Sequence, residues 1–365
     1  MTTYLYIDDD KLQDSQGKVN GFQEAGNLEV KVENNTTEWK KQIDRLKRKD
    51  YDGLIFDLKL DETPVEDGCR AEFRGSSLAQ QVRDYQKEGT LPAFPILLYS
   101  AEDKMKSSLD STGHDLFDLC IEKTEMDVET MMTLPTQLID LSDCYKRLNQ
   151  KENIMTMLCA IYPVDERFSN TLADLQQDNS VAACVHLLLH EFILKPGLLV
   201  DESFLAARLG VDMKKSGDAW PIILNLFDKA RYQGTLCNGW KRWWMRGVND
   251  IWRNMAGGQY LQMMDAKERV DVLKKVLDID TIAPAEMLRY SESSKFWTVC
   301  RGTDAPLDPA DGFVIAGQEP HYPWQDFMYV SKKAAFLKIN NQRWKNVASS
   351  EKTRLDMLKQ EYVGK

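Results

Sequence analysis

Short apolar runs alternate with amphipathic stretches through the first 145 residues. "TYLYI" reads as a strand, and "LEVKV" as another with clean period-two alternation. "TEWKKQIDRLKRKD" then sets Trp39, Ile43 and Leu46 at helical spacing, with Thr36 or Thr37 as the expected N-cap. "DGLIFDL" reads as a buried strand, "SSLAQQVRDYQ" as a helix led by serine caps, "FPILLYS" as a strand and "LCIE" as a weaker one. The segment between the first two strands is rich in Gly, Asn and Gln, which predicts a short or irregular helix there. Strands separated by helix-length segments imply βαβ units. The expected fold is therefore α/β, a doubly wound parallel sheet.

The pattern changes near Lys146. "CYKRLNQKENIMTMLCAIY", "SVAACVHLLLHEFIL", "SFLAARLGV", "PIILNLFDKARY" and "AKERVDVLKKVLDI" all carry helical periodicity. A Pro/Gly-rich stretch with short β-like pieces runs from Phe296 to Ser331, and a last helix is expected over roughly Ser350–Glu361. The predicted organisation is one domain over 1–145 and a mainly helical one, with a small β-containing segment, over 146–365. No internal repeat or low-complexity segment interrupts it.

Composition narrows the function classes. A chain of 365 residues with 43% hydrophobic content can build two cores. No apolar run approaches the roughly 20 residues of a membrane span, and the opening "MTTYLYIDDD" has no basic n-region or cleavage-type sequence. Seven scattered cysteines without a CxxC pair indicate reduced thiols, so a cytoplasmic location is expected. Residues 1–150 hold 19 Lys+Arg against 30 Asp+Glu, whereas the rest hold 28 against 27. The acidic front disfavours nucleic acid as its direct partner.

Chemistry-bearing residues fall at the predicted strand ends. Asp8 and Asp9 close the first strand and Asp57 the third; Ser100 closes "PILLYS" and Lys123 closes "DLCIEK". An open parallel sheet binds ligands at this carboxyl edge. Clustered carboxylates repel one another, and a hard divalent cation such as Mg²⁺ relieves that repulsion. Asp57 would then be a carboxylate nucleophile of the kind that forms an aspartyl phosphate. Lys123 and the metal would neutralise the phosphoryl oxygens, and Ser100 would donate a hydrogen bond to them.

The ordered set "YLYIDDD", "GLIFDLKL", "PILLYSA" and "DLCIEK" resembles the signature strands of the response-regulator receiver domain, over roughly residues 1–145. The resemblance implies a five-stranded parallel sheet and phosphotransfer from a histidine kinase or phosphotransfer protein. It also implies Asp57 as phosphoacceptor, Ser100 as the switch hydroxyl and Lys123 as the phosphate-binding lysine. Mg²⁺ would be held by Asp8, Asp9, Asp57 and the backbone carbonyl of Lys59. The expected protein is not an enzyme beyond its own phosphorylation and dephosphorylation. Two positions depart from the family pattern. Cys120 stands where receivers often carry an aromatic, and Thr124 where a proline commonly follows the lysine. The loop after Asp57, "DETPVEDGCRAEFRG", is long and charged.

The second half offers weaker signals. His186 and His190 are spaced four apart, as metal ligands can be, but the pattern is not HExxH and a core or interface role is the expectation. "FLAARLGVDMKKSGDAWPIILNLFDKARY" has the outline of a helix-turn-helix, and over 229–253 basic residues interleave with tryptophans. Lys241, Arg242 and Arg246 would be the nucleic-acid contacts if this were a DNA-binding regulator. The apolar "PIILNLFDKA" suits burial better, so packing or protein interaction is preferred. Arg301, Asp304, Asp308, Asp311, His321 and Asp326 lie in the Pro/Gly-rich stretch without a recognisable catalytic spacing. The expectation is a response-regulator-like protein that switches contacts of its helical part with an effector protein or a second copy of itself. The alternatives are a DNA-binding transcription regulator and a phosphate sink or scaffold in a multi-protein system, such as a defence pathway.

Overall fold

The computed structural model describes residues 1–23, 27–48, 50–64, 68–101, 116–319 and 321–363. Five strands, β1 (Thr2–Asp8), β2 (Leu28–Asn34), β3 (Gly53–Phe56), β4 (Ile96–Ser100) and β5 (Leu119–Glu122), form one sheet in the order β2-β1-β3-β4-β5. Every pairing in it is parallel. This is the flavodoxin-like doubly wound order, whose ligand crevice lies at the carboxyl ends of the strands flanking the switch point. All five strands fall on the segments expected from sequence.

Period-two alternation divides the strand residues between two apolar layers. Leu5, Ile7, Leu54, Phe56, Ile96 and Leu98 pack with residues of α2 (Trp39–Lys47) and α3 (Gly75–Lys87). Tyr4, Tyr6, Ile55, Leu97 and Tyr99 pack with Val19 of α1 (Leu12–Val19) and with Leu134 and Leu138 of α4 (Val128–Asn149). A sheet buried on both faces has only its strand ends available for polar chemistry. One close approach fixes the site's floor. A Cβ on Gly75 would stand 2.2 Å from the Asp57 carbonyl oxygen, so only glycine lets α3 start against the chain leaving β3.

The caps differ from expectation. α2 begins after Glu38, not at a threonine; Thr36 instead donates its hydroxyl to the Glu38 carbonyl and its N–H to Gln42. α3 begins after Arg74, whose N–H reaches Ser77 Oγ from within the helix, so the serines are not N-caps. The last helix runs over Lys352–Val363 after a 3₁₀ turn at Ser349–Glu351.

The chain divides into two compact units, the first comprising Met1–Ala160, Glu166–Leu189 and Gln233–Trp240, the second Ile161–Asp165, His190–Tyr232 and Lys241–Lys365. The boundary expected at 145 falls inside α4, and helices Glu166–Gln177 and Val181–Leu188 stay with the first unit. Segment 233–240 returns to the first unit because Asp140 on α4 accepts hydrogen bonds from the N–H groups of Asn238 (2.8 Å) and Gly239 (2.7 Å). Gly239 Cα lies so close to α4 that a Cβ there would meet Gln137 Cα at 2.8 Å.

The second unit is mainly helical, with two-stranded β pieces such as Leu199–Val200 on Trp243–Trp244 and Gly312–Val314 on Tyr329–Ser331. Its core gathers Trp220, Trp243, Trp252, Phe227 and Leu273. Trp244, also buried, meets Tyr162, Phe192 and Tyr232 edge-on, at ring-centroid separations of 6.0, 5.9 and 5.9 Å. No described helix is long and apolar enough to cross a membrane.

Candidate functional site at the sheet's carboxyl edge

Asp8 is the last residue of β1 and points to the same face as Tyr6, which donates its hydroxyl to Asp8 at 2.5 Å. Lys18, in the last turn of α1, places its ammonium 2.7 Å from Asp8 and 2.5 Å from Asp10. Burial pushes the Asp8 carboxyl up, but the hydrogen bonds from Lys18 and Tyr6 outweigh it and hold the group below the usual carboxylate range. The same carboxylates raise Lys18 above the ordinary lysine value against the opposing effect of burial. Asn34, at the end of β2, donates to the carbonyls of Asp8 and Asp10 and so fixes the turn that carries the acids.

Asp9 behaves differently. One of its oxygens accepts the N–H groups of Glu62 (3.0 Å) and Thr63 (2.5 Å), tying the loop after β3 to the end of β1. Burial, then the charges of Asp8, Asp57 and Asp10, raise its pKa despite the bond from Thr63. Asp8, Asp9 and Asp10 each offer a carboxylate oxygen within 4.8 Å of the others, the one such group of potential metal ligands among the described residues. Asp10 joins Asp8 and Asp9 in this trio, beside Asp57 at the same sheet edge; the Lys59 ammonium pairs with Glu62 at 2.8 Å, which leaves its backbone carbonyl as a separate donor. A closely spaced set of hard oxygen donors fits Mg²⁺ in kind.

Asp57 leaves β3 with its N–H on the Ile7 carbonyl (3.1 Å), and the residue is buried at the sheet edge. Lys123, the first residue beyond β5, donates to Asp57 Oδ1 at 3.0 Å, its ammonium 5.4 Å from the Tyr99 ring centroid. Ser100, the last residue of β4, is fully buried, and its hydroxyl has no hydrogen-bond partner among the described residues. A buried hydroxyl left unpaired costs about 1–3 kcal/mol, a cost that the buried Ser15 and Ser142 hydroxyls share. Among the described residues, four carboxylates thus face two ammonium groups at this edge. That residue of negative charge is the electrostatic case for a divalent cation.

The structure brings Asp8, Asp9, Asp57, Ser100 and Lys123 to the expected sheet edge and adds Lys18, Asp10 and Tyr6, which the sequence did not single out. Tyr6 shares β1's alternation with Asp8, which would have paired them. Lys18 is placed by the helix Leu12–Val19, short as the Gly, Asn and Gln content predicted, whose register no local pattern fixed. Cys120 lies on the exposed side of β5.

Most of the second half's candidates are engaged elsewhere. Arg242 donates to the carbonyls of Ile193 (2.7 Å) and Lys241 (2.8 Å), Arg246 stacks over Tyr162, and Lys241 is exposed. His190 lies in a π turn, Leu189–Ile193, beyond the helix Val181–Leu188 that carries His186. Asp311 pairs with Lys332, Asp304 with Arg343 and Asp326 with Arg208, while Asp308 caps a 3₁₀ turn and His321 stacks on Phe327.

No family model matches the chain, and no curated protein matches it significantly. Solved structures do. A sensor protein from Polaromonas sp. JS666 is 18% identical with a TM-score of 0.29, over 39% of this chain and 98% of its own. The response regulator LqsR of Legionella pneumophila is 13% identical at a TM-score of 0.28, over 63% and 75%. The response regulator RcsB of Salmonella typhimurium is 12% identical at 0.26, over 52% and 93%. These TM-scores are too low to carry a functional inference, so the chain's own geometry has to carry it.

Proposed function

We propose that the chain is a response-regulator-like phosphoacceptor, modified on Asp57 by a phosphohistidine donor on a histidine kinase or phosphotransfer protein. The observation that carries this reading is the meeting of Asp57, Lys123 and the unpartnered Ser100 hydroxyl at one sheet edge, beside a trio of carboxylates. Asp57 attacks phosphorus in line; its Oδ–P bond forms as the donor's N–P bond breaks, and the leaving imidazole takes up a proton. Lys123 transfers its hydrogen bond from the carboxylate to a phosphoryl oxygen, and Ser100 donates to another. Asp8, Asp9, Asp57 and the Lys59 carbonyl, with Asp10 beside them, would hold Mg²⁺, which supplies positive charge against the phosphoryl oxygens. The second unit is the effector, and protein contacts, with a partner or another copy, are its output. A DNA-binding role for segment 229–253 is not proposed, because Arg242 is committed to backbone carbonyls and the tryptophans are buried.

The test is incubation with Mg²⁺ and acetyl phosphate followed by intact mass, with Asp57→Asn alongside. Wild type gains one phosphoryl group and the variant none. An adduct that survives Asp57→Asn refutes the reading.

A further inference from the structure

We propose that Lys18 is a tethered counter-ion that holds the cation position on Asp8 and Asp10 until a divalent metal displaces it. The inference rests on the phosphoacceptor reading, since it assigns the same carboxylates to the metal. Lys18 binds Asp8 and Asp10 through the Oδ2 atom of each, at 2.7 and 2.5 Å. These are two of the three acids whose oxygens lie within 4.8 Å of one another. An ammonium and a divalent ion sharing those oxygens would sit a few ångströms apart and repel strongly. One of the two must leave, and the structure shows which can. The Asp8 side chain is 1% exposed and anchored by Tyr6, whereas Lys18 is 24% exposed on a flexible four-carbon stem at the end of a short helix.

Two consequences follow from this linkage. Lys18 stabilises the metal-free site, where Asp8, Asp9 and Asp10 would otherwise face one another without a cation. It also raises the metal concentration at which the site fills, because binding must break two charge-assisted hydrogen bonds. Lys18 is thus a positioning residue that sets metal demand and takes no part in phosphoryl transfer.

Calorimetric titration of Mg²⁺ into the folded full-length wild type, Lys18→Gln and Lys18→Arg tests it. Lys18→Gln is expected to bind Mg²⁺ about tenfold more tightly, in line with the loss of a charged hydrogen bond, and to gain more thermal stability from saturating Mg²⁺ than wild type. Lys18→Arg, which keeps the charge, stays near wild type. Equal or weaker binding by Lys18→Gln overturns the proposal. A second measurement needs no variant. Brief acetic anhydride labelling of wild type, read by peptide mass, should modify Lys18 several times faster with Mg²⁺ present, and an unchanged or slower rate overturns the proposal. If no folded protein binds Mg²⁺, the metal reading of the trio falls and this inference with it, while the Asp57 adduct assay still judges the phosphoacceptor reading separately.

Discussion

The buried ions of the second unit each complete a contact of the fold. Arg269 donates to the carbonyls of Leu261, Arg208 and Phe296, joining segments that are remote in sequence. Arg208 lies over the Trp297 ring and pairs with Asp326. Asp311 takes the N–H groups of Glu292 and Ser293 as well as the Lys332 ammonium. At the sheet edge of the first unit the ions converge on one another instead, with carboxylates outnumbering ammonium groups and the Ser100 hydroxyl unpartnered. Burying a charge is costly in either place. In the second unit backbone groups and ion pairs offset most of the cost, although Arg269 Nη2 has no partner among the described residues. In the first it is left standing at Asp9, which burial and the neighbouring carboxylates hold above its ordinary value.

The contrast is broken or sharpened by substitution. The largest effect is expected from Trp252→Ala, which empties a fully buried ring from the second unit and should cost about 3–5 kcal/mol, read by urea denaturation. Asp311→Ala leaves Lys332 buried without its principal partner and should cost about 3 kcal/mol or more. The buried acid of the first unit should respond with the opposite sign. Asp9→Asn keeps an oxygen for the Glu62 and Thr63 N–H groups and removes like-charge repulsion, so stability should hold or rise by up to about 1 kcal/mol. A large loss there would mean that the two units treat buried acids alike.

The pH dependence sharpens the same point within the first unit. Asp8 sits below its ordinary value in the fold, so its contribution is complete above the usual carboxylate range near pH 4 and is lost as pH falls through the lowered value. Asp9 sits above its ordinary value, so the fold binds its proton more tightly and stability falls as pH rises from that range through the raised value. Asp8→Asn should flatten the acid limb of the stability profile and Asp9→Asn the fall above it. The smallest effect belongs to Lys241→Ala, an exposed residue, which should stay within about 0.5 kcal/mol of wild type.

The first unit's sheet was legible because its evidence is local. Strands buried on both faces are short, continuous apolar runs, and a polar residue ending such a run marks the sheet edge. Asp57, Ser100 and Lys123 were placed in this way, 43 and 23 residues apart in the numbering yet at neighbouring strand ends. Lys18 was hidden because a helix of mostly polar residues carries little periodicity. The domain boundary was hidden for another reason. The return of residues 233–240 depends on Asp140 and on a glycine without room for a Cβ, a contact 98 residues long that no local pattern announces. The interleaved tryptophans and arginines of segment 229–253 left a surface for bases and phosphates open beside the preferred packing reading, because a buried ring and an exposed one have the same letter. Only the packing separates them.

The most direct test of the central claim is to locate the phosphoryl group. Protein treated with Mg²⁺ and acetyl phosphate is reduced with borohydride, which converts an aspartyl phosphate to homoserine, and then mapped by peptide mass. Homoserine at position 57, and unchanged aspartate at Asp8, Asp9 and Asp10, is the result this account predicts. A phosphoryl group carried elsewhere while Asp57 remains aspartate would contradict it.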